Sequence, residues 1–136
     1  MNDGAGEPAG EVDLATVRDA ILEASEAFYR AFNDGDIEAM DRVWARELPV
    51  ACVHPGWPTL HDRDEVMDSW RGILGNPDQP RIVAGGSTVH VIGEVAYVLT
   101  QELVAGQPLA ATNLFAREAG AWRIIHHHSS PVALTS

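Results

Sequence analysis

Basic side chains are scarce in this 136-residue chain, which has nine lysines and arginines against 20 aspartates and glutamates. The formal net charge of −11 disfavours binding to nucleic acid or to anionic membranes. Cysteine is nearly absent: Cys52 stands alone, which excludes an internal disulfide and a zinc site built from cysteines. There is no long apolar run and no signal-peptide pattern, so we predict no membrane association and a cytoplasmic location.

Apolar residues at helical spacing predict three helices in the first half of the chain. The first is capped by Asp13 and ends at Gly35, the second begins after Asp36, and the third extends from Asp62 to Gly75. The first twelve residues are rich in glycine, proline and acidic side chains and are predicted to be a disordered tail. Residues 13–136 are predicted to form one domain.

The second half has the composition of β-strands. After a short strand near residues 50–54, the predicted strands cover about 81–92, 95–105, 108–117 and 121–130. Gly93-Glu94 and Gly106-Gln107 place glycine first in a two-residue turn, as a type II′ hairpin requires, and a third turn lies between Glu118 and Ala121. Three helices followed by an antiparallel meander predict an α+β domain.

The predicted turns also determine which side chains share a face of the sheet. With these turns, Asn113 pairs with Thr100 and His126, while His128 lies two residues beyond His126 on the same face. This face is predicted to carry Val98, Thr100, Glu102, Asn113, His126 and His128. His127 points to the opposite face, which also presents a cross-strand row of Leu99, Leu114 and Ile125.

Six stretches follow one another in a characteristic order: "AFNDGDIEAM", "CVHPGW", "DEVMDSW", "VHVIGE", "YVLTQEL" and "AWRIIHHHSSP". In this order they resemble the SnoaL-like branch of the nuclear transport factor 2-like superfamily, from about Leu14 to Val132. The second half is also similar to the association domain of calcium/calmodulin-dependent protein kinase. Val98 and Asn113 stand where that kinase domain carries pocket arginines, so we do not expect a strongly anionic ligand.

The resemblance implies a cone-shaped α+β barrel, in which a curved, mainly antiparallel sheet wraps three helices around a pocket. It also implies that the outer face of the sheet forms a homodimer. Members include ketosteroid isomerase, polyketide cyclases and dehydratases, and also noncatalytic modules. The function is therefore open between a cofactor-independent isomerase, cyclase or dehydratase and a noncatalytic ligand-binding or oligomerisation module.

Three interpretations of the histidine run remain open. His128 or His126 could act as a general base, with Asn113 donating a hydrogen bond to a developing oxyanion. Alternatively, the two histidines could share a metal with His54 or Glu102, or they could be hydrogen-bonded wall residues. We predict no bound metal and no cofactor.

The loop "CVHPGWP" carries His54 and Trp57, which either cap a ligand pocket or fill the mouth of the barrel. For the pocket we expect a neutral or weakly polar small organic molecule. The predicted ligand-binding residues are His54, Trp57, Val98, Thr100, Glu102, Trp70 and Phe28.

Overall fold

Helices come first along the chain and long strands follow, as the apolar spacing predicts. The computed structural model describes residues 13–133, so the predicted disordered tail lies outside the described residues. The helices are α1 (Leu14–Asp34), α2 (Ile37–Val43) and α3 (Arg63–Leu74). The strands are β1 (Ala51–Val53), β2 (Ile82–Ile92), β3 (Val95–Val104), β4 (Gln107–Glu118) and β5 (Ala121–Pro131).

Each helix begins at its predicted cap. The carboxylates of Asp13, Asp36 and Asp62 accept hydrogen bonds from backbone N–H groups two or three residues further on, at 3.3, 3.0 and 2.9 Å. Gly35 ends α1 in the left-handed conformation, with φ of +63°. Within residues 13–133, no helix is long and apolar enough to cross a membrane. The cytoplasmic location stays a prediction.

One five-stranded sheet contains all the strands, in the order β1-β5-β4-β3-β2. β1 is parallel to β5 and the other pairs are antiparallel, which confirms the α+β class and the mainly antiparallel sheet. The three helices cover the inner face of this curved sheet. The side chains with the largest volume in the resulting core are those of Phe28, Trp44, Trp70, Phe115 and Ile21.

The first two hairpins keep the predicted division of side chains between the faces, except in Ile82–Gly85 of β2, which precede a register shift between Gly85 and Thr88. The β2–β3 turn is Gly93-Glu94 as predicted, because Ile92 pairs with Val95. The β3–β4 turn is Ala105-Gly106, not Gly106-Gln107, so Val98 rather than Thr100 lies opposite Asn113. Both turn residues have positive φ, as a type I′ turn requires. The pairing is displaced by two residues, which leaves every side chain on its predicted face.

In the β4–β5 hairpin, every residue of β5 beyond Ile125 lies on the face opposite to the predicted one. Its turn is where we predict it, with Glu118 paired to Ala121, and Phe115 pairs with Ile124. The next pair is Leu114 with His126, so Ile125 is an extra residue in β5 and forms a β-bulge.

The prediction that His126 and His128 face the interior is therefore wrong. His127 lies opposite Asn113 on the inner face and is buried, whereas His126 and His128 lie on the outer face. A bulge reverses the alternation of side chains in the rest of its strand, and this reversal explains the exchange.

The bulge allows two adjacent isoleucines to contact the core. Ile124 is fully buried, and Ile125 is half-buried and packs against the same core. The carbonyl of Ile124 accepts a hydrogen bond of 2.9 Å from the N–H of Ala45, which joins the end of α2 to β5 at the bulge. Strict alternation would have exposed one of the two isoleucines to the outer face.

The outer face also differs from the predicted row. Leu99 and Leu114 do lie on this face, but Leu99 is paired with Thr112, and Leu114 lies between Tyr97 and His126. Since Ile125 packs against the core, the row of Leu99, Leu114 and Ile125 does not exist. The exposed large apolar side chains of this face are Val83, Ile92, Val95, Leu99 and Leu103.

Candidate functional site

A cavity of about 220 Å³ lies between the helices and the inner face of the sheet. Its apolar walls are formed by Phe28, Phe32, Trp57, Trp70, Ile73 and Leu109. Its polar lining consists of His54, Gln79, Glu102, His127 and Ser129. Trp57 is 44% exposed and forms the mouth, whereas Phe28 and Trp70 are buried and pack edge to face, with ring centroids 5.5 Å apart. We call this space the inner cavity.

His54 follows β1 and is held in one tautomer by α3. Its Nε2 lies 2.8 Å from Ser69 Oγ, and that hydroxyl donates its own proton to the carbonyl of Val66 at 2.6 Å. Ser69 therefore accepts from the Nε2–H of His54, which leaves Nδ1 as a hydrogen-bond acceptor. Burial lowers the pKa of His54 to about 4, so the ring is neutral at pH 7.

His127 begins a chain of buried hydrogen bonds. Its Nδ1 donates to Asn113 Oδ1 at 2.5 Å, and Asn113 Nδ2 donates to Tyr29 Oη at 3.0 Å. Because Tyr29 Oη accepts this bond, its own proton is free to be donated to Glu102 Oε2 at 2.6 Å. Ser129 Oγ donates to the other oxygen, Oε1, at 2.7 Å. In this series of hydrogen bonds, every donor is directed toward the Glu102 carboxylate.

Burial has opposite effects on the pKa values of two members of this network. Burial, with smaller effects from the nearby His54, His126 and His128, lowers the pKa of His127 to about 3. Burial also raises the pKa of Tyr29 above its ordinary value, with a further increase from the Glu102 charge. His127 is therefore a neutral imidazole whose Nε2 is an acceptor, and this nitrogen has no hydrogen-bond partner among residues 13–133.

A family model of the SnoaL-like domain matches residues 21–134. The chain belongs to the SnoaL-like domain family. This confirms the resemblance carried by the six sequence stretches.

Two solved structures resemble this SnoaL-like domain in sequence as well as in fold. A proposed dehydratase of the NTF2-like family from Streptomyces avermitilis is 33% identical, with a TM-score of 0.83 over 90% of this chain and 100% of that chain. A proposed calcium/calmodulin-dependent protein kinase type II association domain from Thiobacillus denitrificans is 31% identical, with a TM-score of 0.73 over 81% of this chain and 93% of that one.

One curated relative is a plant protein, the F-box protein SKIP8 of Arabidopsis thaliana. It is 28% identical over 118 residues, which are 85% of this chain and 51% of the relative. The SnoaL-like domain therefore spans about half the length of the curated relative that it matches.

Five of the predicted ligand-binding residues line the inner cavity of the SnoaL-like domain. They are Phe28, His54, Trp57, Trp70 and Glu102. Val98 and Thr100 face inward but lie outside the cavity lining: Val98 belongs to the core, and the Thr100 hydroxyl donates to the carbonyl of Gly85 at 3.1 Å. Asn113 is one hydrogen bond away from the cavity, behind His127.

The two histidines predicted to be catalytic are not in the inner cavity. His126 is hydrogen-bonded through Nδ1 to the carbonyl of Ala51 at 3.1 Å, and His128 is exposed on the outer face. The side chains of His54, His126 and His128, considered as metal ligands, do not converge. His54 lies on the inner side of the sheet, whereas His126 and His128 lie on its outer face. Within residues 13–133, no three potential ligand side chains are close enough to hold a metal ion.

Sequence reasoning missed the inward positions of His127 and Ser129 and the connection through Tyr29. The pair Ile124-Ile125 is the signal that could have revealed the first two, because two adjacent apolar residues interrupt the alternation of β5. No signal in the sequence predicts that Tyr29 on α1 meets Glu102, since the two residues are 73 positions apart.

Proposed function

We propose that this SnoaL-like domain binds a small organic molecule that carries one ring in the inner cavity. The observation that carries the proposal is an aromatic-walled space with a few buried polar groups, the usual composition of a ligand site. At about 220 Å³ the cavity exceeds the roughly 150 Å³ that holds benzene in an engineered protein core. It is smaller than the pockets of about 300–1,000 Å³ that take drug-sized ligands.

A second depression is larger but less suited to an organic ligand. It has a volume of about 470 Å³ and lies between α1 and the beginning of β2. Its lining includes the exposed, charged Glu26, Arg30, Asp34 and Arg81. Such side chains are well solvated and mobile, so they hold a small apolar molecule poorly, and the proposal therefore concerns the inner cavity.

Calorimetric titration with benzyl alcohol, a neutral one-ring molecule, tests the proposal. We expect Leu109→Phe, which fills part of the inner cavity, to weaken binding at least tenfold. Leu48→Phe enlarges an exposed leucine outside the cavity and serves as the matched control, with unchanged affinity. Equal binding of benzyl alcohol by the wild-type protein and Leu109→Phe would contradict the proposed site.

Proton transfer without a cofactor is a second candidate function. Asn113 holds the Nδ1–H of His127, so the opposite nitrogen is directed away from the network and can accept a proton, as a general base requires. In this proposal His127 takes the role predicted for His126 and His128, and Asn113 becomes a positioning residue. The 33% identity to a proposed dehydratase supports an isomerase, cyclase or dehydratase activity.

Deuterium exchange at the carbons beside the carbonyl of phenylacetone, followed by NMR, tests proton transfer directly. We expect wild-type protein to accelerate the exchange and His127→Gln to abolish the acceleration. His128→Gln removes a neighbouring imidazole on the outer face and should exchange at the wild-type rate. If His127→Gln were as active as wild type, the imidazole would not be the base.

We also propose that the outer face of the sheet pairs with a second copy of the chain. The exposed Val83, Val95, Leu99 and Leu103 form an apolar patch that water solvates unfavourably. The similarity to a proposed kinase association domain supports assembly of more than one copy.

A further inference from the structure

The histidine, serine and glutamate side chains of the inner cavity offer hydrogen-bond acceptors to a ligand. The unprotonated nitrogen of His127 is Nε2, which is a hydrogen-bond acceptor. The unprotonated nitrogen of His54 is Nδ1, which lies 3.9 Å from the Cys52 sulfur. The Ser129 hydroxyl donates its proton to Glu102, and the Glu102 side chain is also an acceptor. Gln79, Trp57 and Trp70 bring side-chain N–H donors to the lining, and the buried Nε1–H of Trp70 has no hydrogen-bond partner within residues 13–133.

Glu102 is a buried carboxyl group without a cationic partner among residues 13–133. It is 2% exposed, and both of its hydrogen bonds come from neutral hydroxyl groups. The chain has no lysine, and its nine basic residues are arginines that all lie within residues 13–133. In that part of the chain, none of them forms an ion pair with Glu102 or lines the inner cavity.

We propose that the ligand of the inner cavity is a small organic ammonium ion, with its nitrogen against the Glu102 carboxylate and its ring against Phe28, Trp57 and Trp70. This inference rests on the proposed ligand-binding function. It replaces the neutral or weakly polar ligand expected from the sequence with a cationic one.

Charge and geometry both support an ammonium ligand. A buried carboxylate is costly unless a cation balances it. An ammonium group supplies that positive charge, together with N–H donors for the acceptors of Glu102 and His127. Aromatic faces attract cations, so Trp57 and Trp70 favour the same ligand. The His54 and His127 ring centroids are 6.5 Å apart, which allows one small molecule to contact both rings. An anion would meet the Glu102 charge with no cation beside it.

Three probes of similar shape separate charge from size: benzylamine as its ammonium ion, benzyl alcohol and benzoate. In calorimetric titrations of the wild-type protein at pH 7, we expect benzylammonium to bind at least tenfold more tightly than benzyl alcohol. We expect no measurable binding of benzoate. Equal or tighter binding of the alcohol would overturn the inference, and so would binding of benzoate.

Variants then locate the preference at Glu102. We expect Glu102→Gln to bind benzylammonium and benzyl alcohol with about equal affinity. Glu23→Gln removes an exposed charge from α1 and should retain the preference for benzylammonium. Retention of the preference in folded Glu102→Gln would overturn the assignment. If Glu102→Gln does not fold, the wild-type probe series still decides the question.

The same titrations distinguish the two proposals. Binding of benzyl alcohol without a preference for the ammonium ion would overturn only the ligand class. If none of the three probes bound, the proposed ligand-binding function would fall as well.

Discussion

At the scale of single residues, Asn113 joins two buried side chains on opposite sides of the interior. Its Oδ1 accepts from His127 and its Nδ2 donates to Tyr29, so one amide orients both groups. A leucine of similar shape would leave the Nδ1–H of His127 without an acceptor in a site that water does not reach. An unsatisfied buried donor is more costly than the lost bond alone.

We therefore expect Asn113→Leu to lower the free energy of unfolding by about 2–4 kcal/mol, measured by urea denaturation. Gln107→Leu, at an exposed amide at the start of β4, is the control and should change it by less than about 0.5 kcal/mol. A loss in Asn113→Leu as small as that of the control would show that the network contributes little to stability.

His54 and His127 make the stability of the fold dependent on pH. Their pKa values are lowered by burial to about 4 and about 3, below the unfolded value of about 6.5. As the pH falls, these histidines bind protons in the unfolded chain before they do in the folded one. Their contribution to the free energy of unfolding is therefore fully present above about pH 6.5 and is lost as the pH falls toward about 4 and about 3. Each ring contributes up to about 1.4 kcal/mol per pH unit within this window.

Urea denaturation between about pH 7 and about pH 5 measures this dependence. We expect His127→Phe to reduce the slope of stability against pH by the share of one histidine, while His61→Phe, at an exposed ring, leaves it unchanged. An unchanged slope in His127→Phe would show that His127 is protonated to the same extent in the folded and the unfolded chain.

At the scale of elements, two hairpin turns contain alanines in an unfavourable conformation. Ala105 and Ala119 have φ of +51° and +53°, each followed by a glycine that also has positive φ. These are the φ values of type I′ turns, for which Asn-Gly is the preferred sequence. Alanine in the left-handed region costs about 1–2 kcal/mol, and asparagine tolerates that region better.

We expect Ala105→Asn and Ala119→Asn each to raise the free energy of unfolding by about 0.5–1 kcal/mol, seen as a higher midpoint in thermal unfolding. Ala110→Asn places the same side chain at an exposed position within β4 and should give no gain, because asparagine is a poor strand residue. If neither turn variant gained stability, the strain argument for these turns would fail.

At the scale of the whole molecule, the outer face decides the oligomeric state. We expect light scattering at micromolar concentration to give twice the chain mass of 14.7 kDa, and the double variant Leu99→Arg, Leu103→Arg to give a monomer. Leu48→Arg, at an exposed leucine outside the apolar patch, should remain a dimer. A monomeric wild-type protein would contradict the proposed pairing.

Much of the fold could be predicted from sequence because its signals are local. Asp13, Asp36 and Asp62 cap the helices through bonds to residues two or three positions away, and Gly93 forms its turn within four residues. The wall of the inner cavity was partly predictable too, since the loop with His54 and Trp57 follows a buried strand. These interactions depend on nearest neighbours, which a sequence displays directly.

The orientation of the three histidines depended on tertiary structure. Alternation along β5 counts residues from the turn, and one extra residue at Ile125 reverses every later position. The bulge forms where the carbonyl of Ile124 accepts a hydrogen bond from the N–H of Ala45. At the same place, Ile124 and Ile125 contact a core built from helices that are distant in the sequence. The sequence by itself determined the elements, their caps and most of their turns. Only packing between distant segments decided that His127, and neither of its neighbours, enters the inner cavity.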